Sequence, residues 1–319
     1  MNLTDETSKA EQKFIEVEGC DTVVLSCLQK YQSNAVIVEA SLSAVRNLSR
    51  STTEIPDHLI STGTCRLIVS CIEQHNADVG VVEQGLWSIV NLTSTKAKTP
   101  QQFMDAKGCF TVVSCLQKYQ SNAKIVRTGL ALVRNLSRST TEIPDHLIST
   151  GTCRLIVSCI EQHNADVGVV EQGLWSIVNL ASDYTWAQQF IDFEGHCTVS
   201  SCLQKYQSNA VIVRATLAAV RNLSQSNTEI PDNFVSSATC SLIFSCMKRH
   251  EMDIAVVTDG LWSIVNLTSD KTKAQQVSMI TKVEACDMVL SWLQNLQWNP
   301  SLVRPWLAPV RNVSSNVSF

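Results

Sequence analysis

The segment NADVGVVEQGLWSIVNLTS, residues 76–94, carries the pattern from which the architecture follows. It reads as a helix of about four turns with Asn76 as its N-cap. Its core, LWSIVNL, stands at 86–92, 174–180 and 261–267. The Asn inside it belongs to a longer series: Asn47, Asn91, Asn135, Asn179, Asn222, Asn266 and Asn312, in steps of 44, 44, 44, 43, 44 and 46. Residues 45–92 and 133–180 are identical at an offset of 88, and SCLQKYQSNA recurs at 26–35, 114–123 and 201–210. The chain is therefore built from seven units of about 44 residues. They alternate between two types, one ending in VRNLS or VRNVS and the other in LWSIVNL.

A period near 44 excludes tetratricopeptide and ankyrin units, which are shorter, and WD40 units, which are β-rich. Each unit here reads as three helical segments. In the second unit, TTEIPDHLISTG places Pro56 near a first helical turn, where a missing N–H costs nothing. TCRLIVSCIEQH then sets Leu67, Ile68, Cys71 and Ile72 at helical spacing. The long segment from Asn76 follows. One unit cannot bury its own apolar face, so stacked neighbours must supply the core. The expected repeats are 11–50, 51–94, 95–138, 139–182, 183–226, 227–269 and 270–315, with residues 1–10 frayed and 316–319 a tail. Pro305 and Pro309 should kink or shorten the last long helix.

The 319 residues are 45% hydrophobic and 17% charged, which argues against intrinsic disorder. With 25 basic against 29 acidic side chains and a net charge of −4, nothing in the totals points to nucleic acid. The N-terminus, MNLTDETSKAEQ, lacks the apolar core of a secretion signal, and no run approaches the ~20 apolar residues of a membrane span. The 13 cysteines are odd in number in a long chain, so they read as buried thiols rather than a disulfide scaffold. The Asn-x-Ser/Thr sequons are by-products of the repeat. The expected location is the cytoplasm, with the nucleus as an alternative.

The three-helix unit resembles the armadillo repeat over about residues 11–315. Three features carry the resemblance: glycine opening the second helix in EGC (18–20), AKGC (106–109) and EGHC (194–197), a long third helix ending in Asn-Leu-Ser/Thr, and the recurrence of that Asn in every unit. HEAT repeats, the nearest relatives, lack a regular Asn there. The resemblance implies an all-α fold, an armadillo-type α-solenoid forming a right-handed superhelix of three-helix repeats. At roughly 10 Å per unit, seven units should extend about 70 Å.

The strongest side-chain pattern is Trp-x-x-x-Asn, at Trp87 and Asn91, Trp175 and Asn179, and Trp262 and Asn266. Four residues apart on a helix, both side chains share one face. Gln84, Gln172 and Asp259, three before each Trp, join it. The pattern is similar to that of the importin-α branch, which implies that Asn47, Asn91, Asn135, Asn179, Asn222 and Asn266 bond the backbone of an extended peptide in a concave groove. Trp would supply flat walls for aliphatic or cationic side chains. A second reading stays open, in which Asn braces adjacent repeats and Trp packs between third helices. The odd units carry Ser43, Ala131, Ala218 and Ala308 where the even ones carry Trp, and their VRNLS resembles the catenin branch.

Charge alternates along the third helices, with Glu83 and Glu171 in even units and Arg127 and Arg214 in odd ones. This suits either inter-repeat ion pairs or a ligand of mixed charge. Cys71 with His75, Cys159 with His163, and Cys246 with His250 could each offer two metal ligands, but nothing supplies the others. No metal and no cofactor is expected. No phosphate loop, Gly-x-Ser-x-Gly or His-Glu-x-x-His is present, and every polar cluster repeats with its unit, whereas an enzyme site is unique. The expected function is that of a non-catalytic, monomeric scaffold for a protein or peptide partner. The alternatives are a nuclear-import adaptor or a regulatory segment of a larger signalling protein.

Overall fold

The structure, a computed structural model, describes residues 20–50, 63–95, 99–139, 151–225 and 229–268. The expectations for residues 1–10, for the helix start at Pro56, for the seventh repeat with Pro305, Ala308, Pro309 and Asn312, and for the tail lie outside these residues. Among the described residues there are fourteen helices and no strand. The chain divides into two compact units, residues 1–155 and 156–319.

In the first unit, α1 (Cys20–Lys30) and α2 (Ala35–Arg50) are the second and third helices of one repeat. α3 (Thr64–Gln74) and α4 (Val79–Thr95) repeat the pair. A complete three-helix repeat follows in α5 (Thr99–Asp105), α6 (Gly108–Lys118) and α7 (Ala123–Ser139). The unit boundary falls inside α8 (Thr152–Gln162). The second unit continues with α9 (Val167–Leu180), α10 (Tyr184–Asp192), α11 (Gly195–Lys205), α12 (Ala210–Leu223), α13 (Ser237–Arg249) and α14 (Ile254–Leu267). Third helices pack on third helices: α2 on α4 and α4 on α7 in one unit, α9 on α12 and α12 on α14 in the other.

Capping explains where the third helices begin. Asp166 accepts from the Val169 N–H, Asn209 from Val211 and Ile212, and Asp253 from Ala255 and Val256. Each satisfies N–H groups that a first turn leaves without partners. The cap of α4 is Asp78, whose Oδ1 accepts from Val81 at 3.1 Å, and not Asn76. Asn76 sits in the preceding loop and serves the neighbouring repeat: Lys118 Nζ donates to its Oδ1 at 2.9 Å and the Tyr119 hydroxyl to its carbonyl at 2.7 Å. Lys205 and Tyr206 bond Asn164 in the same manner. The repeated QKYQSNA and EQHNAD stretches are thus the two sides of one loop-to-loop contact.

The glycine at the start of the second helix is a steric requirement. A Cβ on Gly108 would lie 2.2 Å from the Phe103 ring, and one on Gly195 would lie 2.8 Å from the Phe190 carbonyl oxygen. First and second helices meet at that point, closed by left-handed Lys107 and Glu194 at φ 62° and 59°. Phe103 and Phe190 are fully buried there.

One expectation is corrected in the sixth repeat. Its first segment is a single turn, with the Phe234 N–H donating to the Pro231 carbonyl at 3.0 Å, rather than a helix. Pro231 has no N–H to give, and α13 begins only six residues later. Ile230, Phe234 and Val235 still fill the core from this turn.

Candidate functional site

The repeated Asn residues fix the third helices against each other. Nδ2 of Asn91 donates to the Arg46 carbonyl at 2.9 Å, and Nδ2 of Asn135 to the Val90 carbonyl at 3.3 Å. In the second unit Asn222 donates to Val178 at 2.7 Å and Asn266 to Arg221 at 2.8 Å. Asn222 is 9% exposed, Asn91, Asn135, Asn179 and Asn266 are half-buried, and Asn47 is exposed. Ser88 and Ser263, which the sequence reading passed over, add a second grip, donating to the Leu42 and Leu217 carbonyls at 2.9 Å each. The signal was present: Ser follows Trp in all three copies of LWSIVNL.

Trp87, Trp175 and Trp262 lie half-buried on the same helices, one turn before the Asn. The Arg46 guanidinium stands 5.5 Å over the Trp87 ring and donates Nη1–H to Gln84 Oε1 at 3.1 Å. Arg214 stands 5.8 Å over Trp175. A cation over an indole face gains about 0.5–1 kcal/mol at such sites. At the position matching Gln84, Asp259 forms an ion pair with Arg221. Burial raises the Asp259 carboxyl above its ordinary value, outweighing the opposite pull of Arg221 and Arg214. Glu83 and Glu171 are half-buried, and Arg127 and Arg214 exposed.

The Cys-x-x-x-His pairs do not gather ligands. Cys71, Cys159 and Cys246 are buried, while His75 Nε2 donates to the Gln32 carbonyl and His250 Nε2 to Gln207 at 2.7 Å. Among the described residues no group of three or more His, Cys, Asp and Glu is placed to hold a metal ion, and no helix is long and apolar enough to cross a membrane. His196 breaks the repeat pattern, with Nε2 3.3 Å from Cys197 Sγ and its ring edge-on to Phe234. Burial lowers the imidazole pKa, and burial together with Glu194 raises that of the thiol, which is the opposite of an activated thiolate.

No protein-family model matches the sequence, and no curated protein matches it. Solved structures do. A designed armadillo repeat protein in complex with the peptide (KR)4 aligns at TM-score 0.57 and 14% identity, over 91% of this chain and 98% of that one. Computationally designed armadillo repeat proteins for modular peptide recognition align at 0.61 and 15%, over 78% and 99%. A chain from a study of a phosphorylation switch in the interaction between cadherin and β-catenin aligns at 0.71 and 13%, over 97% and 64%. The helix order, the third-helix packing and these alignments agree: this chain has the armadillo-repeat fold.

Proposed function

We propose that the chain is a non-catalytic scaffold that binds an extended peptide or a partner helix on the face of its third helices. The observation that carries this is the state of the tryptophans. A Trp kept only for packing is sealed, as Trp186 is at 2% exposure. Trp87, Trp175 and Trp262 instead are only half-buried, on helices already held to a neighbour by the Asn bonds. Half-buried, rigidly held indoles are the usual anchors of binding surfaces. Glu83, Arg127, Glu171 and Arg214 set the charge around them. The designed armadillo protein that binds (KR)4 supports peptide binding as a use of this fold.

In residues 156–319, Trp175 and Trp262 are two repeats apart, about 20 Å, which an extended strand spans in about six residues. The test is selection of a random 12-residue peptide library on the immobilised protein. Enriched peptides should bind Trp175→Ala and Trp262→Ala about thirtyfold more weakly. Their melting temperatures should stay within a few degrees of the parent, because a half-buried ring leaves no closed cavity. Peptides that bind both variants as well as the parent, or a library that enriches nothing, would reject the reading.

A further inference from the structure

We propose that the residue seven before the ladder Asn, Gln84 in one unit and Asp259 in the other, determines specificity, and that the third-helix face of residues 20–139 selects an extended peptide rich in Asp and Glu. This rests on the peptide-binding reading above. The repeat supplies its own comparison. In both units an odd third helix offers an Arg one residue before its Asn, Arg46 or Arg221, to the next third helix. Arg46 meets the neutral Gln84 and lies over Trp87, so its positive charge is undiminished. Arg221 meets Asp259, whose side chain is 12% exposed, and its charge is spent on that pair.

The surrounding charges point the same way. α2, α4 and α7 carry six basic side chains, Arg46, Arg50, Lys124, Arg127, Arg134 and Arg138, against two acidic ones, Glu39 and Glu83. The Glu39 carboxylate lies against the Gly80 backbone in the first turn of α4, where the helix N-terminus attracts it. In the second unit, α9, α12 and α14 carry Arg214 and Arg221 against Glu171 and Asp259, two of each sign. A surplus of four positive charges on one face of a chain whose net charge is −4 is a concentrated field. A peptide fits this face better than a nucleic acid. Glu83 stands beside Gln84 in the middle of the face, where a chain of unbroken phosphates would meet a carboxylate, whereas a peptide can place an uncharged or basic residue there.

Fluorescence anisotropy on the full chain decides the matter, using labelled (Asp-Glu)4, (Lys-Arg)4 and (Gly-Ser)4 and an eight-nucleotide single-stranded DNA. The acidic peptide should bind at least about tenfold more tightly than the basic one, and more weakly as salt rises. Gln84→Asp, which copies the other unit, should weaken the acidic peptide about fivefold. Asp259→Asn should strengthen it. Gln84→Glu and thermal melts of every variant separate a charge effect from a folding defect. If both charged peptides bind but the exchanges at 84 and 259 change nothing, peptide binding stands and the specificity assignment falls. Preference for (Lys-Arg)4 overturns it as well, as does DNA binding tighter than the acidic peptide. If no peptide of either sign binds, the peptide-binding reading itself falls, and this one with it.

Discussion

Asn222 shows how a single side chain can be recognised in sequence while two roles for it stay open. Its recurrence marked the repeat and its spacing from the position of Trp marked the face, but the direction of its amide was beyond sequence reading. That amide is given to the Val178 carbonyl in the preceding third helix, in a nearly closed environment. Replacing it with Ala should cost about 1 kcal/mol, the net worth of an ordinary hydrogen bond. Asn222→Asp should cost more, because a carboxylate cannot donate and would be buried against a carbonyl oxygen. Urea midpoints of the two variants test this, and an unchanged midpoint for both would remove the bracing role. The Trp side chains are the converse case. Their face was legible from four-residue spacing, but their partial burial under Arg46 and Arg214, which reach over the Trp87 and Trp175 rings from adjacent helices, is set by packing that spacing alone does not weigh.

Elements begin and end where local chemistry says, provided the right residue is chosen from a cluster. NAD at 76–78 offers two capping side chains. The helix takes Asp78, which is next to the apolar run, and leaves Asn76 to the neighbouring loop. The equivalent Asp166 caps α9 with a 3.0 Å bond to Val169. Asp166→Ala should therefore destabilise the protein by about 1 kcal/mol, within a range of 0.5–2. Asp166→Ser should recover most of it, and a Ser variant as weak as the Ala one would show that capping is not the cause. Gly195→Ala tests the junction of first and second helices: its methyl would press on the Phe190 carbonyl, which cannot move without displacing the buried Phe190 ring. A loss of about 1–3 kcal/mol is expected, as for other overpacked sites, measured by the same urea series. The glycine was visible in sequence as part of the repeat. Its reason was not, because the clash is with a residue five positions earlier whose approach only the folded junction sets.

At the scale of the molecule, the repeat makes every buried group count several times, and cysteine is the clearest instance. A two-repeat block carries the same thiols into each copy, and burial pushes Cys65, Cys71, Cys109, Cys159, Cys202 and Cys246 up to about 11 and Cys115, Cys153 and Cys240 up to about 12, from 9.0. Sequence reading expected Cys27, Cys71, Cys115, Cys159, Cys202 and Cys246 to be buried; all but Cys27, which is half-buried, are so. The folded state holds these protons more tightly than the unfolded one, so stability is present in full below pH about 9. It falls as pH rises from there toward 11–12, because the unfolded chain releases protons that the folded chain keeps. One pKa unit corresponds to about 1.4 kcal/mol, so several such groups weigh heavily against the 5–15 kcal/mol of a typical domain. The protein should therefore unfold cooperatively in alkali before its buried thiols ionise in place. The main rise in thiolate absorbance and the loss of helical circular dichroism, followed together from pH 8 to 12, should share a midpoint, with slow labelling of the buried thiols below it. Most of the thiolate absorbance rising near pH 9 with helicity intact would mean that the buried thiols are open to solvent and that the packing between stacked helices is looser than the structure shows.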